Sequence, residues 1–599
     1  MLKRFFSSSW CVAAAAAFGM LLALPSLKMG LVADDFFHWE VLTGRFDNAH
    51  PGTAFGMFSF ADGNPARTRE YMQKGVFPWW SSDTVRLSFW RPLAEYTHWL
   101  DYRLWPDSPA LMHVHNIVWY GAVIVALGLW LRAIDTNKSR AGIATLIYGI
   151  SAAHGIVVGW IANRNALVAA FFSLLALIMF HRARQHTVRS RAAIYYAWAC
   201  ALLALSLLSG EAALATGAYL FAYVLLLDKQ PQFLPRLFSL LPFAIIVLIW
   251  QHFYSQFGYG SRDAGIYIDP VREPLRFLYS AVMRVPVLLS AQLFGVPSML
   301  HSFMPSLSLQ ILYSAIAFAV IAVFLLALRA VNLNREKEVQ FYALGALLAA
   351  VPVCAAGPDD RLLTFVGFGG AGLIAACLSA VAEQFKRLRG ARGIGLKILA
   401  GYLVLMHFIA MPIFLPINAN AMGRAMGPFI EYPAIALPED KLNADTRVML
   451  INPPLPSAVA YVPFVRDYHG LRSVRAAMAM APGSRRMFLE VIDDTTLRIT
   501  VPEGFLSPLD NFFRSPRMPF HSGDRIDLGD VKVTVLQVTL DGQPQAVQFE
   551  FLGTLKDPNL QFYVWDKWQY REFELPAPHQ KVEFAAANFN DVNKRIPAP

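Results

Sequence analysis

The chain has 599 residues, of which 56% are apolar and only 16% are charged, and its formal net charge is +10. Soluble domains carry about 25% charged residues. This composition therefore excludes a soluble enzyme, a disordered chain and a fibrous repeat. It predicts a polytopic membrane protein with a water-soluble part attached.

Eleven apolar runs are long enough to cross about 30 Å of hydrocarbon. The predicted spans lie near residues 10–31, 109–131, 141–160, 166–180, 192–209, 212–227, 237–250, 308–328, 339–357, 362–382 and 396–416. The first run follows Lys3 and Arg4, an arrangement that a cleaved signal peptide would also show. Its length and the lack of a small-x-small cleavage site favour an uncleaved anchor.

The Lys and Arg residues of the short loops lie mostly on one side of these spans. With the N-terminus in the cytoplasm, nineteen fall in cytosolic segments and two, Arg164 and Arg361, in the three short outward turns. This distribution follows the positive-inside rule and places the C-terminus outside. The positive charge is spread over loop ends and forms no single patch, so nucleic acid is not an expected partner.

The segment Pro274 to Val296 is apolar but contains Arg276, Arg284 and Pro286. If this segment crossed the membrane, every later loop would lie on the opposite side, and the Lys-rich and Arg-rich loops would then violate the positive-inside rule. We therefore interpret it as an amphipathic or re-entrant helix at the outer surface.

The predicted domains are a membrane module, residues 1–420, and an extracytoplasmic domain, residues 421–599. The module carries outer loops at 32–108 and 251–307. Alternating apolar patterns predict strands at 488–501, 531–538, 546–551 and 561–575. The predicted fold is an all-α membrane bundle of about eleven transmembrane helices with a C-terminal β-rich, sandwich-like domain. All four cysteines lie in apolar spans, which excludes disulfide bonds and Cys-based zinc sites outside.

Ionisable groups at membrane depth are costly and are candidates for function. Asp34 and Asp35 directly follow the first span. An acidic pair here can supply a general base for an acceptor hydroxyl, or ligands for a divalent cation. The structural alternative is a pair of helix-capping or loop acids.

Three further candidates frame the second span. Arg91 lies beside a proline and can make bidentate contacts to phosphate. His113 and Asn116 begin the span and offer hydrogen bonds at the same depth. Each of these residues alone would also suit an interfacial anchor.

The short outward turns contain Arg164, Glu211 and Arg361. An acid that begins an apolar span needs a cationic partner, for which Arg164 and Arg91 are the candidates. Structural ion pairs and a stop-transfer flank are the alternatives. All these groups converge on the outer face of the bundle, which suggests transfer from a lipid-phosphate donor.

Six short motifs follow one another in the chain: Asp34-Asp35, Arg91-Pro92-Leu93, His113-x-x-Asn116, Asn163-Arg164, Ser209-Gly210-Glu211 and Asp360-Arg361-Leu362-Leu363. Their order and placement resemble the GT-C superfamily of integral-membrane glycosyltransferases. They are most similar to the branch that contains the tetratricopeptide-bearing transmembrane O-mannosyltransferases and their bacterial relatives. The resemblance covers about the first 420 residues.

The resemblance implies inverting transfer of a sugar from a polyprenyl-phosphate donor to an extracytoplasmic glycan, lipid or protein hydroxyl, in a bacterial inner membrane. It implies catalytic roles for Asp34 and Asp35. The residues that would bind the donor phosphate and sugar are Arg91, His113, Asn116, Arg164, Glu211 and Arg361. No organic cofactor is required, and a divalent metal remains open.

Two features depart from that branch. Relatives often have Lys-Glu where this chain has Gly210-Glu211, which removes one cation, and the C-terminal region has no tetratricopeptide periodicity. The other functions considered are a transporter or flippase for lipid-linked sugars and a non-catalytic assembly protein.

Overall fold

The computed structural model describes residues 2–304 and 306–587. The α-helices of the membrane region are α1 Leu2–Ser7, α2 Trp10–Ala23, α3 Asp34–Leu42, α4 Pro65–Gln73, α5 Pro92–Leu104, α6 Pro109–Ile134, α7 Lys138–Gly149, α8 Gly155–Gly159, α9 Arg164–Gln185, α10 Arg189–Leu207, α11 Thr216–Leu226, α12 Phe233–Phe238, α13 Leu241–Gln256, α14 Pro274–Phe294, α15 Leu307–Ala330, α16 Lys337–Val353, α17 Leu363–Gln384, α18 Gly390–Val404 and α19 Met411–Asn418. The helices that follow are α20 Ala421–Met426, α21 Glu431–Ile435 and α22 Val462–Tyr468.

The strands are β1 Ser59–Asp62, β2 Arg86–Ser88, β3 Gly260–Arg262, β4 Arg447–Leu450, β5 Ala476–Ala479, β6 Met487–Asp493, β7 Thr496–Thr500, β8 Arg525–Asp527, β9 Val531–Val538, β10 Pro544–Phe551, β11 Leu560–Asp566, β12 Gln569–Glu572 and β13 Lys581–Phe584. The predicted architecture, an apolar helical bundle followed by a β-rich domain, is confirmed.

Nine helices within the described residues are long and apolar enough to cross a membrane, or ten if the bent pair α7 and α8 is counted as one span. Eight of the nine coincide with predicted spans, and the ninth is α14. The bent pair coincides with the predicted span at 141–160. The last two predicted spans are shorter helices, Glu211–Leu226 and α16. These two pack closely, because Gly345 of α16 leaves room for the ring of Tyr219.

Helix α17 lies at the centre of the bundle, and 83% of its apolar window is buried. A side chain added at Gly369 would lie 2.4 Å from the carbonyl oxygen of Tyr342, and one at Gly370 would lie 2.3 Å from Gln292. Small residues of this kind allow the backbones of membrane helices to approach each other. The bundle therefore closes around α17.

Helix α14 is long enough to span a membrane. However, the residues that precede it and the residues that follow it contact the same short segment, residues 355–360. Before the helix, the N–H of Ile268 donates to the carbonyl of Ala355 at 2.8 Å. After it, the N–H of Ser298 donates to Oδ1 of Asp360 at 2.7 Å. These contacts place the residues on both sides of α14 beside residues 355–360, and the re-entrant path of α14 stays a prediction.

The C-terminal region contains two sheets. One has six antiparallel strands in the order β13-β6-β7-β10-β9-β8, and the other has four in the order β12-β11-β4-β5. In the second sheet β4 pairs in parallel with both β5 and β11. A parallel pair needs a crossover, and α22 lies in the crossover between β4 and β5. The search for alternating apolar and polar residues missed β4 and β5, because all four residues of each strand are buried and no alternation is present.

The first outer loop and the C-terminal domain share one hydrophobic core. Trp79 of this loop is fully buried, and its Nε1 donates to the carbonyl of Met480 at 3.1 Å. Its ring lies 5.7 Å from that of Phe505 and 6.0 Å from that of Phe549. In the β1-β2-β3 sheet, β1 and β2 belong to the first outer loop and β3 belongs to the second, so the sheet joins the two loops. Both outer loops therefore pack with the C-terminal domain as one extramembrane unit.

Trp79→Ala should lower the free energy of unfolding by about 3–5 kcal/mol, the usual cost of removing a buried Trp side chain. Thermal unfolding of the protein in lipid nanodiscs would measure this change. Leu552→Ala is the control, because Leu552 lies in the same domain with 70% of its surface exposed, and it should change stability by no more than about 0.5 kcal/mol. Equal shifts for the two variants would contradict the shared core.

Candidate active site

The acidic pair begins α3, at a helix N-terminus, where the macrodipole favours carboxylates. Ala33 precedes the pair with φ of 51°, a left-handed conformation that is uncommon for a residue with a side chain. This turn places the two carboxylates in different surroundings.

Asp34 is partly exposed, and its Oδ1 accepts a hydrogen bond from the hydroxyl of Tyr461 at 2.5 Å. Its Oδ2 has no hydrogen bond to the described residues. Asp35 is 1% exposed, and its two oxygens accept from the backbone N–H of Val32 at 3.0 Å and of Ala162 at 2.7 Å. Asp35 therefore ties the start of α3 to the turn before α9, whereas Asp34 keeps one oxygen free.

Burial raises the pKa of both carboxyl groups. For Asp35 it raises the pKa to about 8, against the opposing effect of its two backbone hydrogen bonds. For Asp34 the hydrogen bond from Tyr461 and the charges of Arg361 and Arg91 oppose burial and lower the pKa. Asp34 is thus the acid with a free oxygen, a hydrogen-bond donor and two cations near it.

Arg91 is paired with Glu211, one of the two pairings that the sequence predicts. Its Nε and Nη2 lie 2.9 Å and 2.8 Å from the same oxygen, Oε2 of Glu211. The guanidinium lies over the ring of Phe89, 4.5 Å from the centroid. The side chains of Arg91 and Glu211 are 19% and 25% exposed, so the pair is held in place but remains open to a ligand.

Arg361 is less closely paired. Its Nε lies 3.4 Å from Oδ2 of Asp359, and its guanidinium is 5.8 Å from the ring centroid of Trp160. The side chain is 30% exposed. We call the four partly exposed residues Asp34, Arg91, Glu211 and Arg361 the outer cluster.

The other predicted site residues form a buried network. Arg164 is completely buried in an ion pair with Asp101 and also donates to Oδ1 of Asn116 at 2.5 Å and to two backbone carbonyls. His113 is fully buried, with Nε2 3.0 Å from the carbonyl oxygen of Gly30. We call Asp35, Asp101, His113, Asn116 and Arg164 the buried network.

Arg164, His113 and Asn116 are thus buried, whereas the residues of the outer cluster are partly exposed. Their hydrogen bonds go to protein atoms, and Nδ1 of His113 makes none within the described residues. Burial explains the contacts of Arg164, because an Arg with no exposed surface needs its partners inside the protein. The donor-binding roles of these three residues and the catalytic role of Asp35 stay predictions.

Two residues of this region were missed by the sequence reasoning. Asp101 lies in α5, and its Oδ1 is 2.6 Å from Nδ1 of His115. The motif at Arg91 marks only the start of α5, and no motif includes Asp101 near the end of that helix. Tyr461 lies 427 residues from Asp34, and no sequence signal links the two.

In the acidic pair, each oxygen of Asp35 already accepts one backbone N–H group, which leaves each with one lone pair for a divalent metal. Oδ2 of Asp34 makes no hydrogen bond to the described residues and is the more open ligand. Within the described part of the chain, no group of three or more His, Cys, Asp or Glu side chains is placed to hold a metal ion. A divalent metal at the pair stays a prediction.

A cavity of about 420 Å³ lies at the other end of the bundle. Its lining includes Asp135, Lys138, His181, Tyr223 and Lys337. Asp135 lies about 30 Å along α6 from His113, at 1.5 Å per residue. This cavity contains none of the predicted site residues.

No family model matches the chain, and no curated protein matches it. Solved structures similar to it include the Archaeoglobus fulgidus oligosaccharyltransferase tethered to an acceptor peptide, at 13% identity over 79% of this chain and 64% of that one, with a TM-score of 0.39. The same organism's AglB, in complex with an inhibitory peptide and a dolichol-phosphate, is similar at 13% identity over 78% of this chain and 64% of that one, with a TM-score of 0.42.

ArnT from Cupriavidus metallidurans, bound to undecaprenyl phosphate, is similar at 12% identity over 79% of this chain and 90% of that one, with a TM-score of 0.38. The chain spans less than two thirds of the length of the archaeal enzymes, and all three identities are low. The chemical interpretation of the outer cluster therefore rests on its own geometry.

Proposed function

We propose that this integral membrane protein is a GT-C-type glycosyltransferase. It would transfer a sugar from a polyprenyl-phosphate donor to an extracytoplasmic hydroxyl on a glycan, lipid or protein. The observation that carries the proposal is the outer cluster, in which the free oxygen of Asp34 lies in the field of Arg91 and Arg361. The order of the six sequence motifs supports the same class.

In the proposed reaction, Oδ2 of Asp34 takes the proton of the acceptor hydroxyl. The acceptor oxygen then forms a bond to the anomeric carbon, and the bond from that carbon to the phosphate oxygen breaks. Its electron pair leaves with the lipid phosphate, while Asp34 keeps the proton. Attack opposite the leaving group inverts the anomeric centre. A general base placed in this way contributes typically 10²–10⁴-fold to the rate.

The two arginines would stabilise the charge that develops on the phosphate. Arg91 is partly neutralised by Glu211, which also fixes its direction. Arg361 is held more loosely by Asp359. We therefore assign Arg361 the main contact to the departing phosphate and Arg91 a contact to the same group from a fixed position.

Arg361→Gln should lower kcat by about 10²–10³-fold, the usual effect of removing one preorganised donor to a developing anion. Steady-state kinetics with the purified protein in nanodiscs would measure it. Arg387→Gln is the control, because Arg387 lies beyond α17 at the other end of that helix, and it should leave kcat unchanged. Equal losses for the two variants would contradict the assignment.

The function itself is tested with a panel of radiolabelled polyprenyl-phosphate hexoses and pentoses and a cell-envelope extract as acceptor. The expected result is release of polyprenyl phosphate together with transfer of label to the extract. A flippase would instead move the intact donor across the membrane of a proteoliposome. Movement without consumption of any donor would overturn the proposal.

The proposed location is a bacterial inner membrane, with the N-terminus in the cytoplasm and the C-terminal domain in the periplasm. The Lys-rich and Arg-rich segments support this orientation. The packing of the C-terminal domain on the first outer loop supports placing both on one side.

A further inference from the structure

The C-terminal domain contacts the candidate base directly. Tyr461 ends the 3₁₀ helix Pro456–Tyr461, which leads straight into α22. Its hydroxyl donates to Oδ1 of Asp34 at 2.5 Å. A hydrogen bond to an ionised acceptor is shorter and stronger than a neutral one, so this contact can fix the direction of the carboxylate.

The elements that carry the two residues pack against each other through aromatic rings. Tyr468 of α22 lies 5.5 Å from Phe36 and 5.3 Å from Trp39 of α3, measured between ring centroids. Phe464 lies 5.8 Å from Phe37. Asp34 and Tyr461 are thus held at the starts of two helices that cannot shift independently.

We propose that Tyr461 is a positioning residue of the active site, supplied by the C-terminal domain, which holds Oδ1 of Asp34 so that Oδ2 faces the acceptor hydroxyl. This inference rests on the proposed function. It makes the C-terminal domain part of the catalytic unit, with a role beyond recognition of the acceptor.

The protonation states agree with this role. Burial and the charge of Asp34 raise the pKa of Tyr461 well above its usual range, so its phenol remains a donor. In return, the hydrogen bond lowers the pKa of Asp34 against the effect of burial. The hydrogen bond therefore favours the ionised form of Asp34 against burial, while the phenol stays protonated.

Docking of the domain does not depend on this hydroxyl. Trp79 donates to the carbonyl of Met480, and Nε of Arg514 donates to the carbonyl of Trp80 at 2.7 Å. Arg45 adds an ion pair to Asp467 at 3.0 Å. The shared core and these contacts remain when one hydroxyl is removed, so its loss should act on the reaction.

The test uses Tyr461→Phe in the full-length protein in nanodiscs. We expect kcat to fall about 10- to 100-fold, which is the rate effect that corresponds to the free energy of a lost hydrogen bond to a charged group. KM for the lipid donor should not change, and the midpoint of thermal unfolding should fall only slightly, because the shared core and the other docking contacts remain. Tyr563→Phe is the matched control, because the hydroxyl of Tyr563 is buried in the same domain and has no hydrogen-bond partner among the described residues. The kcat of this variant should equal that of the wild type.

Four results would be informative in different ways. Full activity of Tyr461→Phe beside an inactive Asp34→Asn would overturn this inference and leave the proposed function in place. A much lower unfolding midpoint with a raised KM would show a docking role and also overturn the inference. An active Asp34→Asn would overturn the assignment of Asp34 as the base, on which this inference rests. A wild-type protein that consumes no donor would overturn the proposed function itself.

Discussion

Asp34→Asn is expected to lower the transfer rate by about 10²–10⁴-fold, because the amide cannot accept the proton of the acceptor hydroxyl. The amide oxygen can still accept the hydrogen bond from Tyr461, so the fold should be retained. The measurement is single-turnover transfer from a radiolabelled polyprenyl-phosphate sugar, with thermal unfolding measured in parallel.

Asp83→Asn is the matched control for this experiment. Asp83 lies in the same outer loop in an exposed ion pair with Arg69, and 48% of its side chain is exposed. It should keep the wild-type rate. If Asp34→Asn also kept that rate, Asp34 would not be the base, and another group would have to accept the proton of the acceptor hydroxyl.

Arg164→Met should lower the free energy of unfolding by about 3–5 kcal/mol, because it leaves the charge of Asp101 buried without its partner. Both side chains are completely buried, and Arg164 also holds Asn116. This loss of stability should be observed as a lower midpoint of thermal unfolding of the variant in nanodiscs. Asp101→Asn in the same protein should recover part of it, because the unpaired charge is then removed.

The exposed pair of Arg69 and Asp83 provides the comparison, since its side chains are 58% and 48% exposed. Arg69→Met should change the free energy of unfolding by about 0–1 kcal/mol, as solvent screens such pairs. A small effect at Arg164 as well would mean that the buried network does not carry the stability assigned to it.

Most of the fold followed from the sequence, because spans and alternating strands leave periodic patterns. Strand β9 has the predicted bounds, residues 531–538. Each predicted span contains a helix. Strands β4 and β5 did not follow, because a fully buried strand of four residues lacks alternation. The sharing of one core by residues far apart in the chain also leaves no local signal.

The candidate site was predictable in part. The charge of Arg91 and the need of Glu211 for a partner indicated their pairing, which the structure contains. The division between Asp34 and Asp35 depends on which neighbours each carboxylate meets, and adjacent residues in a sequence do not reveal it. Tyr461 comes from another domain, so only the fold brings it to Asp34.

The shared core of the first outer loop and the C-terminal domain also sets an order for biosynthesis. Trp79 and its partner Met480 are 401 residues apart. At about 5–20 residues per second, the ribosome needs roughly 20–80 s to make the chain between them. During that time the apolar residues of the loop lack their partners in the C-terminal domain, while the membrane helices are inserted. The core is therefore completed only after the C-terminal domain has been translated, and a chain cut short after the last span would leave that surface uncovered.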